Sequence, residues 1–322
     1  MPRIYGLLNR EKTVRALVRF VALWFLTHAL RADPPSPFEP PYSSYQFPLP
    51  YLTNLSGRAQ LGEGENVMIA GLVADVSGLY PAMGVLLRGV GPSLKNLGIV
   101  NAVEKPVLTL FDAHDAPVAK NDRWWTDPRT AFFAELLGAF PLGQGSDDAA
   151  MFQAVPDGRA TVILENSAKT GGIGLVEIYQ ALEGTIYFGL RNLSLRARTG
   201  PGEQTAIAGF VFTDPKSEGR YARFLLRAAG PSLAQQGVAH PIENPVLTVY
   251  DAKGTIVAMN DDWSASDIAL NAAVKQVGAF PFNEGSHDAA LLIDLPAGVY
   301  SMHATGGEGV VLLEVYQIPM WP

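Results

Sequence analysis

The chain has 322 residues, 48% of them hydrophobic, which is enough for two domains of ordinary size with real cores. Its net charge of −7, with no Lys/Arg cluster to interrupt the acidic balance, argues against nucleic acid as a partner. It has no cysteine, which excludes disulfides, thiol catalysis and cysteine-bound zinc.

The N-terminus opens with Arg3, Arg10, Lys12, Arg15 and Arg19, followed by an apolar run over residues 20–30 (FVALWFLTHAL). A membrane-spanning helix needs roughly 20 apolar residues. The shorter run fits the apolar region of a signal peptide, with Ala32 as the last residue before cleavage. Residues 1–32 therefore read as a signal peptide, the alternative being an uncleaved anchor. After cleavage no membrane span remains, and the expected location is periplasmic, cell-surface or extracellular. Residues 33–50 (DPPSPFEPPYSSYQFPLP) hold seven prolines and four aromatic residues. Proline removes backbone donors and favours extended polyproline conformations, so this stretch reads as a linker. A docking segment for a partner is its other reading.

From Tyr51 onward the chain repeats itself. Leu52-Thr-Asn-Leu-Ser56 matches Leu190-Arg-Asn-Leu-Ser194, and Gly91-Pro-Ser-Leu94 matches Gly230-Pro-Ser-Leu233. Trp124 matches Trp263, Gly138-Ala-Phe-Pro141 matches Gly278-Ala-Phe-Pro281, and Glu177 matches Glu314. The offset drifts only between blocks, where surface loops absorb insertions. The chain thus divides into repeat 1 (51–183) and repeat 2 (184–322). In repeat 1, residues 66–75, 83–90, 107–111, 117–120, 149–155, 159–165 and 173–180 read as strands, with 58–61 as a further one. All are short, rich in β-branched and aromatic residues, and bounded by Gly, Pro, Asn or Asp. Only 127–137, with Phe132, Phe133, Leu136 and Leu137 as its apolar stripe, and its counterpart 266–277 read as helical. The predicted fold class is all-β: two tandem jelly-roll-like β-sandwich domains, each with one short helix.

One hairpin organises each repeat. In repeat 2, Val246, Thr248 and Tyr250 share one face and Leu247 and Val249 the other, Asp251-Ala-Lys-Gly254 makes the turn, and the return strand ends in Asn260-Asp261-Asp262-Trp263. Oxygen ligands at such a strand end suit Ca²⁺, which takes six to eight. The candidate ligands are Asp251, Asn260, Asp261, Asp262 and Asp288, with Asp112, Asn121, Asp122 and Asp148 in repeat 1. Repeat 1 has Arg123 where repeat 2 has Asp262, so the second loop is the better cation site. The alternative is that these side chains hold their own turns. Trp124 and Trp263, with Trp125 beside the first, offer a sugar-stacking face or plug the core.

Catalytic signatures are missing from the sequence: no G-x-S-x-G, H-E-x-x-H, Walker loop or dinucleotide fingerprint. No histidine has a histidine at the matching position of the other repeat. Gly-Pro-Ser-Leu carries too few glycines to cradle phosphate and reads as a strand terminator. Arg88 and Glu177 lie in apolar strands, as do Arg227 and Glu314. Charges there are rarely buried unpaired, which predicts Arg88–Glu177 and Arg227–Glu314 ion pairs.

The hairpin with its Asn-Asp-Asp end, then Asp288-Ala-Ala-Leu-Leu-Ile-Asp-Leu-Pro-Ala-Gly-Val-Tyr300, then Leu313-Glu-Val-Tyr316, resembles the bacterial pre-peptidase C-terminal (PPC-like) domains. Repeat 1 carries a weaker version, with Val155-Pro-Asp-Gly158 and no matching Tyr. The whole unit also looks like repeats in large exported proteins of Verrucomicrobia-type bacteria. The resemblance covers roughly the last two-thirds of each repeat. It implies a jelly-roll-like, non-catalytic sandwich that in some members binds calcium or an extracellular polymer. The expectation is an exported, non-catalytic binding or structural module. Its alternatives are a carbohydrate- or matrix-binding protein and a secreted hydrolase of unrecognised type.

Overall fold

A computed structural model describes residues 50–64, 66–76, 81–181 and 189–318. The signal segment and all of the Pro-rich linker except Pro50 lie outside the described residues.

The strands are β1 (Tyr51–Leu61), β2 (Met68–Asp75), β3 (Met83–Val90), β4 (Pro106–Phe111), β5 (Pro117–Asn121), β6 (Ala149–Val155), β7 (Gly158–Asn166) and β8 (Gly172–Gln180) in repeat 1. Repeat 2 supplies β9 (Gly189–Thr199), β10 (Ala206–Thr213), β11 (Tyr221–Ala229), β12 (Val246–Asp251), β13 (Ile256–Asn260), β14 (Ala289–Pro296), β15 (Gly298–Thr305) and β16 (Gly309–Gln317). Among the described residues each repeat has one α-helix, α1 (Arg129–Leu136) and α2 (Ile268–Gln276). The molecule is all-β, as the alternating pattern predicts. In β10, Ala206, Ala208, Phe210 and Phe212 point inward while Ile207 and Val211 alternate with them.

All sixteen strands are linked by hydrogen bonding. They form two antiparallel runs, β6-β3-β8-β1-β10-β15-β12-β13 and β14-β11-β16-β9-β2-β7-β4-β5. Each run joins four strands of one repeat to four of the other. The joints are β1 against β10 and β9 against β2, with Ser56 opposite Gly209 and Ser194 opposite Gly71. Parallel bridges at Leu52–Leu190 and Gln60–Arg198 tie the runs together. The ranges 51–183 and 184–322 therefore share both runs, each first strand reaching out of its own repeat.

One apolar core runs through both repeats, from Leu108 and Leu164 in the first to Phe210, Leu247 and Val315 in the second. Phe224 lies 5.3 Å, ring to ring, from both Phe210 and Phe212. Burying such side chains contributes roughly 1.5–3 kcal/mol each. Smaller clusters cover the outer faces. In repeat 2 this layer holds Leu225, Leu233, Leu270, Phe280, Phe282 and Leu312, and in repeat 1 a smaller cluster of Val90, Leu94, Ala102 and Ile173 lies there.

The helices depart from the sequence expectation. Both are shorter than predicted, and the stripe on α1 is not buried as a unit: Phe132 is 64% and Leu136 61% exposed. Phe133 instead stacks on Phe152 of β6, with centroids 3.8 Å apart. The α2 helix starts at an Asp267 cap that accepts from the Leu270 N–H, and it buries Leu270 and Ala273.

Candidate functional site

The polar residues that recur in both repeats gather at the outer end of β3 and of β11. Each strand runs into Gly-Pro-Ser. Gly91 must be glycine because a Cβ there would sit 2.3 Å from the Val103 carbonyl oxygen, and Gly230 meets the Ile242 oxygen in the same way. The chain then turns through Pro92–Leu97 or Pro231–Gln236 as a 3₁₀ helix.

That turn aims backbone donors at a buried carboxylate. Asp148 accepts from the Gly91 N–H at 2.7 Å, the Ser93 N–H at 3.2 Å, the Ser93 hydroxyl, and the Ser146 hydroxyl at 2.6 Å. Asp288 accepts the same set from Gly230, Ser232 and Ser286. Both aspartates are 0% exposed. The serine hydroxyls also accept, Ser93 from the Gly143 N–H and Ser232 from the Asn283 N–H. A hydroxyl saturated in this way, with no histidine among its partners, is not an activated nucleophile.

The Asn-Asp loops are bound to the same centre through backbone. Trp124 donates its N–H to the Asp148 carbonyl and Trp263 to that of Asp288, both at 2.8 Å. The side-chain oxygens of Asn121 and Asn260 accept from the Ala150 and Ala290 N–H groups. The Trp124 indole N–H donates to the Gly143 carbonyl and that of Trp263 to Ser286 Oγ, so both rings are half-buried. Trp125 alone stands out, 51% exposed, with the Arg123 guanidinium 6.0 Å from its ring.

The buried charges form a second motif. Arg88 Nε lies 3.2 Å from Glu177 Oε2, and the guanidinium sits 4.3 Å over Phe140. Arg227 Nη1 lies 3.4 Å from Glu314 Oε2, Nη2 donates to the Phe280 carbonyl, and the guanidinium packs against the Phe280 and Phe282 rings. Tyr179 and Tyr316 donate their hydroxyls to Glu177 and Glu314. Burial pushes both glutamates above their usual range, with the arginine working against it. Burial and the neighbouring carboxylate raise both tyrosines.

The acidic residues read as calcium ligands divide by environment. Burial pushes Asp112 up, but N–H groups from its own hairpin turn, with His114 and Arg159, together hold it below the usual range, and the turn N–H groups likewise lower Asp251. Asp148 and Asp288 are interior, as described. Asp122, Asp261 and Asp262 are exposed, and Asp262 contacts His287 Nδ1 at 2.8 Å. Among the described residues no group of three or more His, Asp or Glu is arranged to hold a metal ion. Ser146, Ser286 and Tyr179 belong to the duplicated centres and escaped the sequence reading, and Tyr316 entered it only as part of the PPC-like motif. The signal was the shared Gly-Ser-x-Asp at 145–148 and 285–288, at nearly the same distance from Gly-Pro-Ser in each repeat.

Away from these centres, an open pocket of about 550 Å³ is lined by Arg198, His240, Glu243 and the Gly306–Gly309 turn, including Glu308. Among the described residues no helix is long and apolar enough to cross a membrane.

No protein-family model matches the chain, and no curated protein matches it significantly. Among solved structures it is similar to a DUF4785 family protein from Legionella pneumophila at 9% identity. That alignment covers 91% of this chain and 90% of the other, with a TM-score of 0.19.

Proposed function

We propose that the protein is an exported, non-catalytic binding or structural module, built from two jelly-roll-like units akin to the PPC-like domains. One observation carries the reading. Ser93 and Asp148, and their counterparts Ser232 and Asp288, engage one another and backbone N–H groups, while Arg88 and Arg227 sit in ion pairs with Glu177 and Glu314, all deep in the fold. Catalytic groups must reach a substrate and hold a proton-transfer partner. These face inward instead and brace loops against sheets.

Export is supported by the basic N-terminus and its short apolar run. Terminal sequencing of the secreted protein should return a chain beginning near Asp33, and one beginning at Met1 or Pro2 refutes processing. Pull-down on insoluble polysaccharides and extracellular matrix should retain the protein without turnover of ester, peptide or glycoside substrates. Turnover that survives purification and is lost in Ser93→Ala or Ser232→Ala would replace the module with a hydrolase. The carbohydrate reading is favoured by a single residue, the exposed Trp125. Loss of retention in Trp125→Ala, with Trp263→Ala unable to mimic it at matched stability, is the outcome that supports it.

A further inference from the structure

A strand at the end of a sheet presents unpaired backbone groups, and proteins blunt such edges with charge, proline or covering side chains. The two antiparallel runs have four end strands, β6 and β13 in one, β14 and β5 in the other. Three of them are blunted. On β6 the Phe152 N–H donates to Asp127 Oδ2 at 3.2 Å, and the Phe152 carbonyl accepts from Arg129 Nη2 at 2.9 Å. The β14 strand carries the exposed Asp294 and ends in Pro296. The β5 strand begins at Pro117 and carries the exposed Lys120.

The β13 strand has none of these devices. Among the described strands it pairs with β12 alone, and it reads Ile-Val-Ala-Met-Asn where β5 reads Pro-Val-Ala-Lys-Asn. The two strands differ only at the guarded positions: Ile256 stands in the place of Pro117, and Met259 in that of Lys120. Ile256 is 56%, Val257 39% and Met259 62% exposed. The last residue of the strand is engaged sideways, Asn260 Oδ1 accepting from the Ala290 N–H. The described ends of the chain meet elsewhere. The Pro50 carbonyl accepts from the Gln317 amide at 3.0 Å beside β1, and β13 lies four strands further along that run.

The flanks of β13 decide what fits the edge. Before the strand comes a turn with Lys253, and after it come Asp261 and Asp262, all three exposed. An antiparallel copy of the same strand, centred on Ala258, sets Val257 opposite Met259 of the second chain and Met259 opposite its Val257. The same two-fold axis lays each Lys253 turn beside the Asp261 and Asp262 of the other chain. The edge is thus complementary to itself in backbone, in apolar side chains and in charge. A contact of this kind uses the same surface on both chains, so it closes at two copies and does not grow into a filament.

We propose that β13 is the interface of a two-fold dimer, in which two copies of this chain join edge to edge through antiparallel pairing of Ile256–Asn260. A strand of five residues makes a small contact, so the dimer should dissociate on dilution. Sedimentation equilibrium of the purified protein over a wide concentration range tests this. The expected result is a monomer–dimer equilibrium with no larger species. Ile256→Pro with Met259→Lys gives β13 the sequence of β5, which repeat 1 already folds, and should leave monomer alone with the melting midpoint of the parent at low concentration. Lys253→Glu should raise the dimer dissociation constant about tenfold, because symmetry counts each exposed ion pair twice. Adding Asp261→Lys and Asp262→Lys to that variant should restore the dimer. A chain that stays monomeric at every concentration overturns the proposal and leaves the edge to a strand of another protein. A dimer indifferent to Ile256→Pro with Met259→Lys overturns it too, by placing the contact elsewhere. Failure of the charge reversal to recover what Lys253→Glu loses overturns the antiparallel pairing.

Discussion

The two repeats share a backbone plan and a buried polar centre, and they part company on the outer face. In repeat 2 that face is closed: α2 buries Leu270 and Ala273, and Arg227 packs against two phenylalanine rings. In repeat 1, α1 buries only Thr130, and Arg88 has one ring over it. The difference teaches where a duplicated unit is free to change. A carboxylate holding four donors in a dry interior tolerates little, because each unmade bond to a buried charge costs roughly 1.5–3 kcal/mol. A helix laid over a sheet from outside can lose its contacts without breaking the ladders beneath.

The comparison is open to experiment, from the most damaging substitution to the mildest. Arg227→Ala leaves Glu314 buried and unpaired, and should cost roughly 3–5 kcal/mol by urea denaturation. Arg88→Ala should cost less, since Glu177 keeps a little exposure. The reverse order would mean that the closed face of repeat 2 does not tighten its centre. Replacing the pair together, Arg227→Met with Glu314→Leu, should recover most of the loss. Next is the helix layer. Leu270→Ala should cost roughly 2–5 kcal/mol, and Leu136→Ala no more than about 0.5 kcal/mol. Equal costs would erase the asymmetry.

Acidity sharpens the comparison further. Burial holds Glu314 above its ordinary 4.5, so the folded protein binds that proton more tightly than the unfolded chain. The stability this confers is complete below pH 4.5 and is lost as pH rises through the folded value, so Glu314→Gln should flatten that limb of the profile. Asp214 behaves oppositely: its bond from Arg220 lowers it to about 2. Its contribution is complete above pH 3.8 and disappears as pH falls through about 2, and Asp214→Asn should remove that acid limb. Repeat 1 has Val76 at this position, so this particular contribution belongs to repeat 2 alone. Calcium should have the smallest effect. Most side-chain oxygens of the acidic loops are bound in turns or in the core, so millimolar calcium should scarcely move the melting midpoint. A rise that chelator reverses and Asp262→Arg abolishes would return the ion to repeat 2.

Much of this was legible in the sequence. Local alternation marked most strands, and the repeat located the equivalent hairpins. Arginine and glutamate in apolar strands implied partners because unpaired burial is so costly. The bridging of the two repeats by their first strands was not legible. Residues 51–61 and 189–199 have the same alternation and the same Asn-Leu-Ser, and the backbone ladder they make would serve either repeat equally. The stripe on α1 misled for a related reason: periodicity reports that one face is apolar, and says nothing about what lies over it. Asp148 and Asp288 were noticed as acids, but their burial depends on donors more than fifty residues away.

The hydrogen bond between Gln317 and Pro50 places the way in beside the way out. The equivalent junction between the repeats is held alike, by Gln180 accepting from the Leu190 N–H. Order along the chain is then incidental to the architecture. A circular permutant closed between 318 and 50 by a short linker and opened within 182–188 would present repeat 2 before repeat 1, with every ladder still available. Its first strand would be β9, its last β8, and the fold would be re-entered from the opposite seam.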